Sequence, residues 1–174
     1  MNQRYRSYMW GLVLLALAAP GFSQQAAAET ISGKAQVIDA RTMVVAGRTV
    51  RLWSIWAPAL DYVCDADGRT IACGRVARTG LMDLTAGATV RCALMQEVAP
   101  GINQARCSAD GYDLGANMVH TGWGRPDRSV SDSYTGIEVK SMKAHHGLWR
   151  WRAQRERMLR DAAVPAANKE NAPR

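Results

Sequence analysis

Between Asp39 and Asp61 the sequence holds no acidic residue, yet Arg41, Arg51 and Trp56 all fall in that interval. The stretch RLWSIWAPAL (51–60) closes a strand-like run with an arginine, sets two tryptophans three apart and turns at Ala57-Pro58-Ala59. A guanidinium in such a place, with no carboxylate beside it in the chain, is suited to holding an anion. Metal chemistry has less to work with. Asp65-Ala66-Asp67-Gly68 opens like a calcium loop, but the twelfth position, where such a loop needs a glutamate, is Val76. No Cys-x-x-Cys or Cys/His spacing suggests zinc. His120 and the pair His145-His146 stand at expected helix ends, where a cationic side chain answers the helix dipole without any metal.

The elements that must position these residues begin after a targeting segment. Arg4 and Arg6 precede the apolar run MWGLVLLALAA (9–19), and small residues end at Ala26-Ala27-Ala28, so residues 1–28 read as a secretory signal peptide. The apolar run is well short of the roughly 20 residues that span a bilayer. The remaining 29–174 is enough for one compact domain. Its four cysteines, Cys64, Cys73, Cys92 and Cys107, favour disulfides in an exported chain, and a periplasmic or secreted location follows. Of three possible pairings, Cys64–Cys73 would close a short loop and Cys92–Cys107 would join two strands; these two are the expected pair.

The formal net charge is +7. Past residue 28 the chain carries 20 basic and 15 acidic residues, and 150–174 alone holds seven basic and three acidic. The body is therefore nearly neutral, unlike a fold that binds nucleic acid through its own charge. Arg150, Arg152, Arg155, Arg157 and Arg160 with Trp151 make a basic segment suited to an anionic surface or polymer, or simply to solvent.

Strands are expected over 31–39, 42–46 and 48–55, then a loop over 59–72. A helix over 73–86 carries Val76, Leu81 and Leu84 on an apolar side, with Ala77 and Gly80, and stops at Gly87. Strands follow at 89–98 and 103–109 around Pro100-Gly101, then helices at 113–120 and 131–146, the latter starting near Ser131 or Ser133. Residues 151–163 read as an exposed helix, and 164–174 as a disordered end. The plan is mainly β with α (α+β): a five-stranded barrel with a helix between strands three and four, as in the OB-fold.

The stretches GKAQVIDARTMVVAGRTVRLWSIWAPAL, CGRVARTGLMDLTAG, VRC, ARCSADGYDLGANMVHTGW and Glu138-x10-Trp149 resemble the staphylococcal-nuclease, or thermonuclease, family from about Gly33 to Trp149. The resemblance implies an OB-fold barrel with three helices over 29–149, followed by the basic tail 150–174. Active members bind one Ca²⁺ and cleave phosphodiesters; carboxylates hold the ion, a glutamate handles the attacking water, and two arginines neutralise the phosphoryl oxygens. Trp123 and Trp149 match core positions of that family.

This sequence departs from the pattern at its chemical positions. The family's D-G-D-T reads Asp39-Ala40-Arg41-Thr42, which puts Arg41 at a metal-ligand position. In R-L-x-G-I-D-A-P-E, Arg51 and Pro58 are kept, while Trp56 replaces the ligand aspartate and Ala59 the glutamate base; the second arginine falls at Ile102. A charge of the wrong sign opposes a divalent ion by several kcal/mol even when screened, and loss of the base alone costs about 10²–10⁴ in rate. Binding rather than catalysis is the expectation. Arg41 and Arg51 converge on an anion, with Trp56 stacking on a sugar or base. Two alternatives stand beside it: Trp56 fills the vacated volume and Arg41 pairs with Asp39, or Asp39 and Asp61 rescue a Ca²⁺-dependent nuclease. No other cofactor is expected. The partner classes are nucleic acid, acidic polysaccharide and protein; some exported relatives of the family are associated with exopolysaccharide, including succinoglycan, production.

Overall fold

The computed structural model describes residues 28–163; the signal peptide expected over 1–28, apart from Ala28, and the end at 164–174 lie outside them. Eleven strands appear in chain order: β1 Thr30–Gly33, β2 Ala35–Val37, β3 Thr42–Val45, β4 Arg48–Leu52, β5 Ile55–Trp56, β6 Cys64–Asp65, β7 Thr70–Ile71, β8 Val90–Ala99, β9 Ile102–Ala109, β10 Tyr112–Asp113 and β11 Arg125–Pro126. The helices are α1 Cys73–Thr85, α2 Leu114–His120, α3 Thr135–Lys143 and α4 Arg152–Ala163, with a 3₁₀ turn at Gly147–Trp149. The class is α+β.

The main sheet runs β1-β8-β9-β4-β3-β2, with β10 on β9. Only the β4–β9 pairing in it is parallel. The sheet curls into a half-barrel that brings β1 against β3, and its inner face buries Met43, Val45, Val50, Leu52, Val90 and Ala105. Alternation along β4, with Val50 and Leu52 inward, turns Arg51 to the other face. From α1, Ala77 and Leu81, one helical turn apart, close over this core. Cys92 and Cys107 are directly opposed in the β8–β9 ladder and bonded, and Cys64–Cys73 ties β6 to the first turn of α1. Both expected pairings form, and such bonds belong to an oxidising, non-cytoplasmic environment.

The structure corrects four expectations. The run 48–55 is not one strand: Ser54 adopts a left-handed φ of 55°, and β5 leaves the main sheet to pair with β11. The segment 59–72 is not a plain loop but holds the β6–β7 hairpin. The helix expected over 131–146 is shorter, because Val130 and Ser131 fold back onto the Asp127 carbonyl and the Ser131 and Ser133 hydroxyls bond each other rather than cap. The helix expected over 151–163 forms as α4, but it is embedded rather than exposed. Its Gln154 and Met158 are buried with Leu148 and Trp149 in a second core cluster that includes the Cys64–Cys73 bond. The cause is the 3.6-residue spacing of these two positions, which places both on one side of a helix otherwise too charged to announce it.

The Asp65–Gly68 loop serves this docking. Asp65 Oδ1 accepts the Gly68 N–H, while Asp67 Oδ1 accepts the Ala153 N–H at 3.1 Å and so caps α4 across the chain. The seam between α2 and the 3₁₀ turn is backbone on backbone. A Cβ on Gly122 (φ 74°) would sit 2.2 Å from the His146 carbonyl oxygen. Gly122→Ala should therefore lower stability by about 2 kcal/mol or more, read as a reduced denaturation midpoint.

Tyr134, at the start of α3, donates to Asp113, whose Oδ1 also caps α2. Burial, then the charge of Asp113 and this hydrogen bond, push its phenol well above the ordinary value. The folded state thus holds the phenolic proton more tightly than the unfolded chain. That stabilisation is complete below about pH 10, the unfolded value, and is lost as pH rises further. Tyr134→Phe should flatten the alkaline decline of stability in denaturant titrations run as a function of pH.

Candidate functional site

Arg51 lies on the outward face of β4, opposite Thr42 on β3 and Gln104 on β9. Arg41 immediately precedes β3, and its carbonyl accepts the Leu52 N–H at 2.7 Å, which locks the two arginine-bearing segments side by side. Asp39 sets the approach. Its Oδ1 accepts the N–H groups of both Arg41 and Thr42 at 2.8 Å, an Asx turn that ends the previous run and starts β3. One oxygen of that carboxylate is thereby committed to backbone. Among the described residues neither Arg41 nor Arg51 makes an ion pair within 4.0 Å.

The guanidinium groups are close enough to feel one another. Burial and then the charge of Arg51 lower the Arg41 pKa from its ordinary value, while Asp39 and Asp127 pull it back up. Arg41 remains charged throughout the working range. The only hydrogen bond of its head group among the described residues is a long one, 3.5 Å, to the Ile55 carbonyl. Arg51 Nε and Thr42 Oγ1 are buried with no hydrogen-bond partner. Two like charges side by side and two orphaned polar atoms cost free energy. An anion between the two guanidiniums would offset their repulsion.

Trp56 stands next to this pair through Ile55. It is half-buried, set edge-on to Tyr62 with ring centroids 5.8 Å apart, and opposite Arg125 in the β5–β11 ladder. Arg125 is occupied elsewhere: its Nε donates to buried Glu138 at 2.9 Å and its Nη1 to the Met158 carbonyl. Ile102, where the resemblance puts a second arginine, opposes Thr49 in the parallel ladder and brings no charge. Asp61 is exposed.

The donor set does not fit Ca²⁺. Trp56 and Ala59 offer no side-chain oxygen, Asp39 is spent on two N–H groups, and Arg41 brings a positive charge where the ion would need carboxylates. The sequence reading missed Asp127. Folding brings it within Coulombic range of Arg41, and its carbonyl accepts from the Ser54 hydroxyl at 3.3 Å; the only local sign was the Pro126-Asp127 turn signal. Tyr62, which lies against the Trp56 ring, carried no sequence signal for such a role, while Arg157 stood out only as one of the basic residues of the 150–160 segment.

No family model matches the sequence. The succinoglycan biosynthesis protein ExoI of Rhizobium meliloti (strain 1021) is 32% identical over 133 residues, covering 75% of this chain and 69% of that protein.

If Arg41 is held for a ligand rather than for the fold, removing its charge should relieve a strain. Arg41→Met is expected to be as stable as the parent or up to about 1 kcal/mol more so in chemical denaturation. A loss above about 2 kcal/mol would mark the residue as structural.

Proposed function

We propose that this chain, which belongs to the family of the Rhizobium meliloti succinoglycan biosynthesis protein ExoI, is a non-catalytic accessory protein of exopolysaccharide production, exported to the periplasm or beyond. In this reading its half-barrel is a staphylococcal-nuclease-like scaffold from which the reactive groups have been replaced. The Arg41–Arg51 pair then binds an anionic substituent of a glycan, with Trp56 flanking it. The observation that carries the proposal is the pair itself: two adjacent guanidiniums without a carboxylate partner, one with a buried N–H left unsatisfied. An arginine fork meets a carboxylate or phosphate through two parallel hydrogen bonds, which a buried Nε–H is placed to share.

Phosphodiester hydrolysis is disfavoured on the same residues. Arg51 alone would neutralise phosphoryl charge, but no side chain at position 59 can take a proton from water and no carboxylate is free beside it for a metal.

Two measurements test this. Inorganic phosphate, sulfate and galacturonate should raise the melting temperature of the wild-type protein in proportion to the logarithm of concentration, and Arg51→Ala should weaken that response roughly tenfold or more in apparent affinity. Incubation with DNA or RNA and Ca²⁺, Mg²⁺ or Mn²⁺ should give no cleavage above the same variant. Metal-dependent cleavage abolished by Arg51→Ala would overturn the non-catalytic reading.

A further inference from the structure

A second basic feature lies beyond Trp56. Between the β6–β7 hairpin and α4 runs a cleft of about 290 Å³ lined by Val63, Asp65, Arg69, Thr70 and Arg157 among others. The Arg157 head group is anchored, donating to the Tyr62 hydroxyl at 3.2 Å and to the Val63 carbonyl at 3.0 Å, and its Nε is buried without a partner. Arg69 is exposed at the same cleft, and its guanidinium has no hydrogen-bond or ion-pair partner among the described residues. Asp65 and the Thr70 hydroxyl add acceptors.

A chain of neighbouring contacts links the two arginine sites. Arg41 reaches the Ile55 carbonyl, Trp56 follows in the chain, its ring meets Tyr62 at 5.8 Å, and Arg157 lies 5.4 Å over the Tyr62 ring. Each aromatic step is comparable to the length of one sugar ring. Both rings are half-buried, so one edge of each stays available while their positions are held by packing.

From this arrangement we infer that the Arg69–Arg157 cleft is a second subsite, and that the ligand is an acidic polysaccharide segment spanning from Arg41–Arg51 across Trp56 and Tyr62 into it. The inference rests on the anion-binding reading of the Arg41–Arg51 pair and adds the length and class of what binds there. The cleft favours a sugar chain over a nucleic acid because Asp65 and Thr70 are acceptors for ring hydroxyls, which a glycan presents on every ring and a DNA strand does not. Linking two weak sites through one chain raises affinity without any new contact, provided the chain is long enough to reach both.

The test is a titration of the full protein with galacturonic acid and with oligogalacturonides of increasing length, followed by calorimetry or tryptophan fluorescence. Affinity is expected to rise steeply, roughly tenfold or more, once the oligomer reaches from one arginine site to the other. Arg69→Ala, exposed and unbonded, should remove that gain while leaving the monomer affinity and the melting temperature unchanged. Monomer binding with no gain on lengthening, or a gain that Arg69→Ala leaves intact, overturns the second subsite but spares the Arg41–Arg51 site. No response to the monomer or to any oligomer overturns both. Equal or tighter binding of oligothymidylate at matched length overturns the assignment to polysaccharide.

Discussion

A carboxylate buried between two arginines holds the site-bearing half of this molecule together. Glu138 is only 3% exposed, yet it accepts from Arg125 at 2.9 Å and Arg128 at 2.6 Å, so its charge is compensated on both oxygens. Arg125 carries the tie further: it donates to the Met158 carbonyl on α4, lies over the Trp149 ring at 5.2 Å, and stands opposite Trp56 in the β5–β11 ladder. Strand β11, helices α3 and α4 and the 3₁₀ turn thus share one ionic centre. Removing one partner of such a group leaves an uncompensated buried charge, which costs about 3–5 kcal/mol. The position of Trp56, and with it the aromatic ground beyond the arginine pair, depends on that centre.

The contrast with the Arg41–Arg51 pair is informative because the residue types are the same. Around Glu138 two arginines converge on a carboxylate supplied by the fold. Arg41 and Arg51 are also neighbours, but among the described residues no carboxylate comes within ion-pair distance of either: Asp39 Oδ1 accepts the backbone N–H groups of Arg41 and Thr42, and Asp39 and Asp127 act on Arg41 only at longer range. One arrangement satisfies itself and reads as architecture. The other is left short of negative charge and of hydrogen-bond acceptors, a state that buried polar groups seldom keep without a reason.

Much of the half-barrel was legible before any coordinates. The β-branched runs at 42–45 and 48–52, the Ala46-Gly47 turn between them and the cysteines at 92 and 107 made the strands and their staple readable, because alternation and turn chemistry act over a few residues. The element changes came where distant groups intervene. Ser54 is held in a left-handed turn by bonding across to the Asp127 and Ser131 carbonyls, which splits an apparently single strand. The first residues expected of α3 went instead to turns around Asp127. Helix α4 looked like a solvated basic tail because its buried side is only Gln154 and Met158. Neither residue announces a core by itself, and a glutamine at 0% exposure is buried only because Tyr62 and Arg157 answer its amide.

By itself the sequence determined that Arg41, Arg51 and Trp56 fall in a stretch with no acidic residue between Asp39 and Asp61. It also made most of the local elements readable and favoured the disulfide pairing that forms. Whether Arg41 would be neutralised by Asp39 or left facing Arg51 was a matter for tertiary structure, because the same carboxylate can satisfy a guanidinium or a pair of backbone N–H groups, and the geometry of the β3 turn chose the latter. The Arg69–Arg157 cleft is likewise a product of the fold: its two arginines lie 88 residues apart and meet only because Asp67 caps α4 and Met158 pins that helix against the second core. Charge and volume are written in the order of residues; which charges are paired is decided by what packs beside them.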